Sequence, residues 1–168
     1  MPTAHGEFRM IAYESEVEGG ESHVALVYGD VTGDEPVPVR VHTHCLAGDV
    51  FSTTLCDCRA LVESSLRMIA EAGRGALVYL HNGGAGFGVD HGATPARVVF
   101  HREHRSKDGC EAAHRTLRQV GLGGQILSDL GIHKIRLLTN TPTHVPALQG
   151  FGIEIVEQVP VSIATVRR

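Results

Sequence analysis

The sequence lacks the features that direct a chain to a membrane or into a secretory route. Its first eight residues contain neither a basic flank nor an apolar run, so we expect no signal peptide. No stretch approaches the length and hydrophobicity that a membrane span needs. We therefore expect a cytoplasmic protein without a membrane partner.

The chain also has little net charge. A formal charge of −4 over 168 residues provides no general attraction to nucleic acid, so we expect no nucleic-acid partner. The hydrophobic fraction of 42% and the charged fraction of 20% are ordinary for a globular protein with a sizeable core. Internal repeats, low-complexity segments and linkers are absent, so we predict one domain over residues 1–168.

Cysteine is scarce, but three of the four cysteines are close together in a C-x10-C-x-C pattern, at Cys45, Cys56 and Cys58. Cys56 and Cys58 are two residues apart and poorly placed to bridge each other, and a reducing compartment favours metal binding over disulfides. Three thiolates with no obvious fourth ligand suit a catalytic zinc site, because a zinc ion held by four protein ligands has no position for water. The pattern therefore predicts a zinc-dependent hydrolase. Cys110 has no partner motif, and we expect it to be structural.

Alternation and helical periodicity predict an α/β fold with a mixed β-sheet and flanking helices. The predicted strands are residues 8–14, 23–28, 37–42, 76–80, 134–138 and 153–156, and the predicted helices are residues 59–72, 122–130 and 142–149. A glycine-rich loop at residues 82–88 follows the fourth of these strands. The histidine-rich stretch from that loop to His114 has no clear assignment.

Six motifs resemble those of GTP cyclohydrolase II, the enzyme that commits GTP to riboflavin synthesis. They include VRVHTHCLAGDVF at residues 39–51, CDC at 56–58 and GGQILSDLG at 123–131, with MIAYESEV, MIAEAGRG and RLLTN at 10–17, 68–75 and 136–140. The resemblance runs from about residue 7 to residue 160.

This resemblance implies a homodimeric α/β enzyme in which Cys45, Cys56 and Cys58 hold Zn²⁺. It further implies that a zinc-bound water attacks C8 of the guanine in GTP and opens the imidazole ring. Formate is released, and pyrophosphate leaves with help from Mg²⁺.

The resemblance also implies where a substrate binds. The implied substrate contacts are Arg40, His42, His44, Gly83, Gly84, Thr139 and His144. The family's catalytic Asp-x-Arg pair, whose arginine is proposed to attack the α-phosphate, aligns with Thr116 and Arg118. Because His42, His44 and Cys45 alternate along an extended segment, we expect His44 to face the substrate or to support the site rather than bind metal.

Several of these positions depart from the family pattern. The family has glutamate at His44, lysine at His144 and aspartate at Thr116, and its Gln-Glu-Gly-Arg segment aligns with residues 82–85, Asn-Gly-Gly-Ala. The glutamine after the second C-x-C cysteine is replaced by Leu61. The tyrosine that the family places after the glycine-rich loop has no counterpart, because all three tyrosines, Tyr13, Tyr28 and Tyr79, precede that loop.

Three functions are compatible with this sequence. The first is the family reaction, in which a guanine nucleotide is the substrate. The second is a divergent hydrolase that retains the zinc site but opens a C–N bond in a different cyclic substrate of specialised metabolism. The third is an inactive relative that binds a ligand, which the retention of all three cysteines disfavours. Arg40 and Arg118 alternatively form surface ion pairs, and Thr139 alternatively ends a strand.

Overall fold

The structure is a computed structural model that describes residues 1–14, 22–81, 87–90, 92–95, 97–100, 120–141 and 146–163. Five of the predicted site residues lie outside the described residues: Gly83, Gly84, Thr116, Arg118 and His144. Cys110 and most of the glycine-rich loop also lie outside them.

The described chain contains ten strands and two α-helices. The strands are β1 (Pro2–Thr3), β2 (Gly6–Glu7), β3 (Arg9–Glu14), β4 (Ser22–Tyr28), β5 (Val37–Thr43), β6 (Gly75–Leu80), β7 (Phe87–Asp90), β8 (Arg97–Phe100), β9 (Lys134–Leu138) and β10 (Glu154–Val159). The helices are α1 (Cys58–Glu71) and α2, which is helical through residues 120–129. A π-helical turn, Leu46–Val50, follows β5, and a 3-10 helix, Pro146–Phe151, precedes β10.

Six strands form a mixed sheet in the order β10-β9-β5-β6-β4-β3. The pairs β10–β9, β9–β5 and β5–β6 are parallel, whereas β6–β4 and β4–β3 are antiparallel. This sheet with its flanking helices confirms the predicted α/β class with a mixed sheet. β5 and β6 run side by side in the same direction, so their carboxyl ends meet at one edge of the sheet, where Cys45 follows β5.

The central strand β6 is covered on both faces of the sheet, because its successive side chains point in opposite directions and both sets are buried. Ala76 and Val78 of β6 pack in a core with Leu127 of α2, whereas Leu77, between them, packs in a second core with Ile69 of α1. A parallel strand covered on both faces is expected to be apolar throughout, as the sequence GALVYL of β6 is. This double coverage holds the carboxyl end of β6 beside that of β5.

Three parts of the predicted secondary structure differ from the structure. β7 begins in the predicted glycine-rich loop, the rest of the β7–β8 pair lies in the stretch that had no assignment, and the small β1–β2 hairpin was not predicted. The predicted helix at 142–149 is helical over its described part, but as the 3-10 helix Pro146–Phe151 and not as an α-helix; residues 142–145 lie outside the described residues. Gly150 and Gly152 disfavour a longer α-helix at this point, and Gly152 has a φ of +70°.

None of the helices in the described part of the chain combines the length and hydrophobicity that crossing a membrane requires.

Candidate functional site

The three predicted metal ligands come together at the carboxyl end of β5. Cys45 follows that strand, Cys56 lies just before α1, and Cys58 is its first residue. The three Sγ atoms lie within 4.8 Å of one another, those of Cys45 and Cys56 are 3.9 Å apart, and none of the three cysteines forms a disulfide. Two Zn–S bonds of about 2.3 Å at a tetrahedral angle place their sulfurs about 3.8 Å apart. The spacing therefore fits zinc.

Gly48 makes this close approach of the sulfurs possible. Its N–H donates a hydrogen bond of 3.3 Å to Sγ of Cys45 from within the π-helical turn. A Cβ atom at Gly48 would lie 2.6 Å from Sγ of Cys56 and 2.7 Å from Cβ of Cys58. Both distances are far below van der Waals contact, so only glycine fits here without displacing the cysteines.

The electrostatics of the three cysteines favour a bound cation. Burial raises the pKa of Cys45. Burial also raises the pKa of Cys58, and the neighbouring thiols of Cys56 and Cys45 raise it further. Three thiols that are partly buried and in mutual contact resist ionisation together because each thiolate repels the others. A divalent cation removes this repulsion, so the donor set suits a metal better than it suits three free thiolates. Among the described residues, this is the one group of three or more His, Cys, Asp or Glu ligands that converges.

Asp49 connects the cysteine loop to the sheet. Its Oδ2 accepts hydrogen bonds from the N–H of Cys45 at 2.9 Å and from the hydroxyl of Tyr79 at 2.5 Å. Nε2 of His42 lies 3.1 Å from each carboxylate oxygen. Burial opposes ionisation of Asp49, but the hydrogen bonds from His42, Tyr79 and Cys45 outweigh it and lower the pKa of the carboxyl.

His44 lies beside this network rather than in the cysteine group. Its Nδ1 is 2.8 Å from the hydroxyl of Tyr79, and its ring stacks on that of His81 with centroids 4.9 Å apart. Burial lowers the pKa of His44, and nearby His81 lowers it further. Burial and the Asp49 carboxylate raise the pKa of Tyr79, so its hydroxyl keeps its proton. The role of His44 at the substrate stays a prediction.

Arg40 and Thr139 are the other predicted substrate contacts that the structure describes. They differ in how many of their polar side-chain atoms form hydrogen bonds. Nη1 of Arg40 donates 2.9 Å to the carbonyl of Leu138, whereas its Nε is buried and makes no hydrogen bond within the described residues. Burial lowers the pKa of Arg40, and the charge of Cys58 opposes that shift. The hydroxyl of Thr139 donates a hydrogen bond to the carbonyl of Thr141 and accepts one from its N–H. These bonds form a local turn at the end of β9, as expected if Thr139 serves to end the strand.

Sequence reasoning did not assign roles to Asp49 and Tyr79. Asp49 lies inside the motif at 39–51, but its spacing from Cys45 matches no standard ligand pattern. Tyr79 was named only as one of the three tyrosines that precede the glycine-rich loop and therefore do not correspond to the family's tyrosine. The signal that brings it here is the parallel register of β5 and β6, which pairs His42 with Tyr79, and that register is not visible in a single sequence.

Comparisons with known proteins agree on one family. The sequence matches the family profile described as GTP cyclohydrolase II over residues 1–160. It is 46% identical over 168 residues to "Riboflavin biosynthesis protein RibBA" of Chlorobium phaeovibrioides, covering 97% of this chain and 40% of that protein. The proteins of the same name from Aquifex aeolicus and Bacillus subtilis are 43% and 41% identical over 97% of this chain. The chain thus spans about two fifths of the length of these relatives.

A solved structure supports the fold. It is described as RibBX, a two-domain 3,4-dihydroxy-2-butanone 4-phosphate synthase from A. baumannii, and it matches with a TM-score of 0.51 at 22% identity. The match covers 98% of this chain and 38% of that one. At this identity the likeness concerns the arrangement of strands and helices alone.

Proposed function

The chain belongs to the GTP cyclohydrolase II family, and on that basis we propose that it is a zinc-dependent hydrolase that opens the imidazole ring of a guanine nucleotide. The observation that carries the proposal is the convergence of three cysteine sulfurs within 4.8 Å at the carboxyl ends of two parallel strands. Ligands of α/β sheets commonly bind at these ends. The riboflavin pathway named for the relatives is the pathway we propose for this chain.

The chain's own residues would divide the work as follows. Cys45, Cys56 and Cys58 hold the metal and leave one position open, and zinc bound there would activate water at neutral pH. Three thiolates and one Zn²⁺ would leave the site with a net charge of −1. Arg40, whose pKa burial lowers and the charge of Cys58 raises, provides a cation that would compensate for it. We propose that His42 and His44 orient the base beside this site.

The phosphate side of the substrate depends on residues outside the described part of the chain. We propose Arg118 as the residue that contacts the α-phosphate, with Thr116 in place of an assisting aspartate. Further contacts are proposed at Gly83, Gly84 and His144, with Thr139 at the end of β9. We propose that Mg²⁺ takes part if the substrate is a triphosphate, since the phosphates would bring the ion with them. The homodimeric assembly of this chain and its cytoplasmic location also stay predictions.

A second candidate function keeps the zinc chemistry but changes the substrate. The observation that favours it is His44, where a half-buried imidazole stacked on His81 stands in place of the family's carboxylate. A carboxylate is the natural acceptor for the N1–H and the N2 amine of guanine, since it accepts two hydrogen bonds side by side. A ring that presents fewer donors would fit His44 better.

Metal analysis of cysteine variants tests the zinc site. We expect about one zinc per chain in the purified protein, and loss of zinc in Cys56→Ser and Cys58→Ser, because a serine hydroxyl is a far weaker zinc ligand than a thiolate. Cys110→Ser is the matched control and should keep its zinc. Full zinc retention in both ligand variants would refute the assignment.

Incubation of the zinc-loaded protein with GTP tests the substrate. Mass analysis for a ring-opened product, formate and pyrophosphate separates the two candidate functions, with Cys58→Ser as the blank. Because the family's tyrosine has no counterpart, we expect any product to retain the formyl carbon, since loss of a general acid typically costs roughly 10²- to 10⁴-fold in rate. Consumption of no GTP at all would favour the second candidate.

A further inference from the structure

The hydrogen-bond network around Asp49 has only a few protons, and their positions can be assigned. Asp49 accepts hydrogen bonds from the N–H of Cys45 and the hydroxyl of Tyr79, and both of its oxygens lie 3.1 Å from Nε2 of His42, so its carboxylate oxygens act as acceptors. The Tyr79 hydroxyl has a single proton and lies 2.5 Å from Oδ2 of Asp49. That proton must therefore point at Asp49, because two facing oxygens without a proton between them would repel each other.

The same count determines the proton on His44. Nδ1 of His44 lies 2.8 Å from the Tyr79 oxygen, whose own proton is already donated to Asp49. For this contact to be a hydrogen bond, Nδ1 must donate its N–H to Tyr79. In a neutral ring with its proton on Nδ1, the other nitrogen, Nε2, has a lone pair and no proton. Among the described residues, the ring of His44 makes no hydrogen bond other than the one to Tyr79.

His42 has the opposite arrangement, although it contacts the same carboxylate. Its Nε2 lies 3.1 Å from both oxygens of Asp49, so Nε2 of His42 carries the proton. Two histidines two residues apart thus have opposite tautomers because one contacts Asp49 directly and the other contacts it through a hydroxyl. This contrast gives the assignment an internal check.

We infer that Asp49, acting through the Tyr79 hydroxyl, holds His44 in its Nδ1–H tautomer and makes Nε2 of His44 a single hydrogen-bond acceptor for a ring N–H of the substrate. Tyr79 and Asp49 are positioning residues, and His44 is a specificity-determining residue. The substrate half of this inference rests on the proposed function, whereas the tautomer does not.

A single acceptor has a consequence for the substrate class. Nε2 has one lone pair in the ring plane, so it serves one N–H donor, whereas a carboxylate serves two adjacent donors. His44 would accept from the ring N–H of a purine or similar heterocycle and ignore an exocyclic amine beside it. The site should therefore discriminate poorly between a guanine and a hypoxanthine base.

Nitrogen NMR of the imidazoles tests the tautomer without any substrate. Zinc-loaded protein labelled with ¹⁵N-histidine is examined at about pH 8, where an ordinary imidazole is neutral. His42→Gln and His44→Gln identify the two resonance pairs among the 11 histidines. We expect a proton on Nδ1 of His44 and on Nε2 of His42. A proton on Nε2 of His44 in the wild-type protein would overturn the inference.

Tyr79→Phe tests the route through the hydroxyl. This variant removes the acceptor for Nδ1–H and keeps the ring, so His44 should shift to the Nε2–H tautomer that free imidazole side chains favour in water, while His42 keeps its own. An unchanged His44 spectrum in a folded variant would refute the role of Tyr79. If the variant does not fold, the wild-type spectrum still decides the tautomer.

Zinc binding and nucleotide selectivity test the direction in which Nε2 acts. Zinc affinity of His44→Ala, measured by competition with a chelator, should stay within about threefold of wild type, because His44 is not a ligand. A loss of tenfold or more would show that Nε2 binds the metal and would overturn the substrate role.

Selectivity is measured as the ratio of dissociation constants for GTP and inosine triphosphate. We expect a ratio within about threefold in the wild-type protein and a preference for GTP of about tenfold or more in His44→Glu, which can accept from the added amine. A tenfold preference for GTP in the wild type would refute the single-acceptor role. If neither nucleotide binds, the substrate half and the proposed function fail together, and the tautomer result stands by itself.

Discussion

At the scale of single residues, Gly48 determines how closely the three sulfurs approach. Its missing Cβ leaves the space into which Sγ of Cys56 and Cβ of Cys58 fit, 2.6 and 2.7 Å from where a methyl group would be. The backbone of Gly48 is held by its hydrogen bond to Cys45, so it cannot simply move away. The geometry of the proposed metal site therefore depends on a residue that contributes no ligand atom.

We predict that Gly48→Ala weakens zinc binding by tenfold or more and lowers the free energy of unfolding by about 1–3 kcal/mol, the usual cost of overpacking. Chelator competition and denaturant unfolding of the zinc-loaded protein measure the two effects. Gly150→Ala is the control, since a Cβ there meets no atom within 4 Å and should change neither quantity greatly. Equal zinc affinity in Gly48→Ala and wild type would show that the turn adapts to the added methyl.

At the scale of elements, α2 packs against the 3-10 helix Pro146–Phe151 at a glycine, Gly124, where there is no room for a side chain. A Cβ at Gly124 would lie 2.5 Å from Cδ2 of Phe151, so the helix approaches the aromatic ring at van der Waals distance. Ile126 and Leu127 of the same helix lie in the core over the sheet. The position of α2 is thus determined by packing rather than by helix propensity.

We predict that Gly124→Ala lowers the free energy of unfolding by about 1–3 kcal/mol, although alanine is the better helix former, because the methyl collides with Phe151. Gly121→Ala on the same helix meets no atom within 4 Å and should be neutral or stabilising by up to about 1 kcal/mol. Denaturant unfolding measures both variants.

A double variant tests the cause of that destabilisation. Phe151→Leu added to Gly124→Ala relieves the collision, so the double variant should be more stable than the sum of the two single effects predicts. Additive effects would show that Gly124 and Phe151 are not in steric contact.

At the scale of the whole molecule, the proposed metal site would link the sheet to α1. Cys45 follows β5, whereas Cys58 begins α1, so a metal held by both would join the sheet to a helix that also packs on it through apolar side chains. Metal binding to the folded chain is therefore also a contribution to folding.

We predict that removal of zinc by a chelator lowers the unfolding temperature of the wild-type protein, and that free zinc at 100 times its dissociation constant restores about 2.7 kcal/mol of stability. Calorimetry with and without chelator measures the shift. Cys58→Ser should unfold at the same temperature under both conditions, since it cannot form the site. If the wild-type protein unfolded at the same temperature with and without chelator, a structural link through the metal would be contradicted.

Much of the fold followed from local pattern. The predicted strands at 37–42, 76–80 and 134–138 match β5, β6 and β9 to within one residue at each end, and the helix at 59–72 matches α1 to the same accuracy. These segments are apolar in the period that their burial requires, so the sequence carries the signal directly. The segment at 146–151 is a 3-10 helix, a type of helix that the periodicity did not distinguish, because tertiary packing and its glycines decide its form.

The sequence by itself determined the family and predicted the three cysteines as the metal ligands, because cysteines at a short spacing and several matching motifs are local facts that folding does not change. Only the tertiary structure decided which groups surround them. Tyr79 lies 34 residues after Cys45 in the chain and reaches Asp49 because β5 and β6 pair in parallel with His42 opposite Tyr79. Hydrogen-bond partners across a sheet depend on strand register, which a single sequence does not encode in any local pattern.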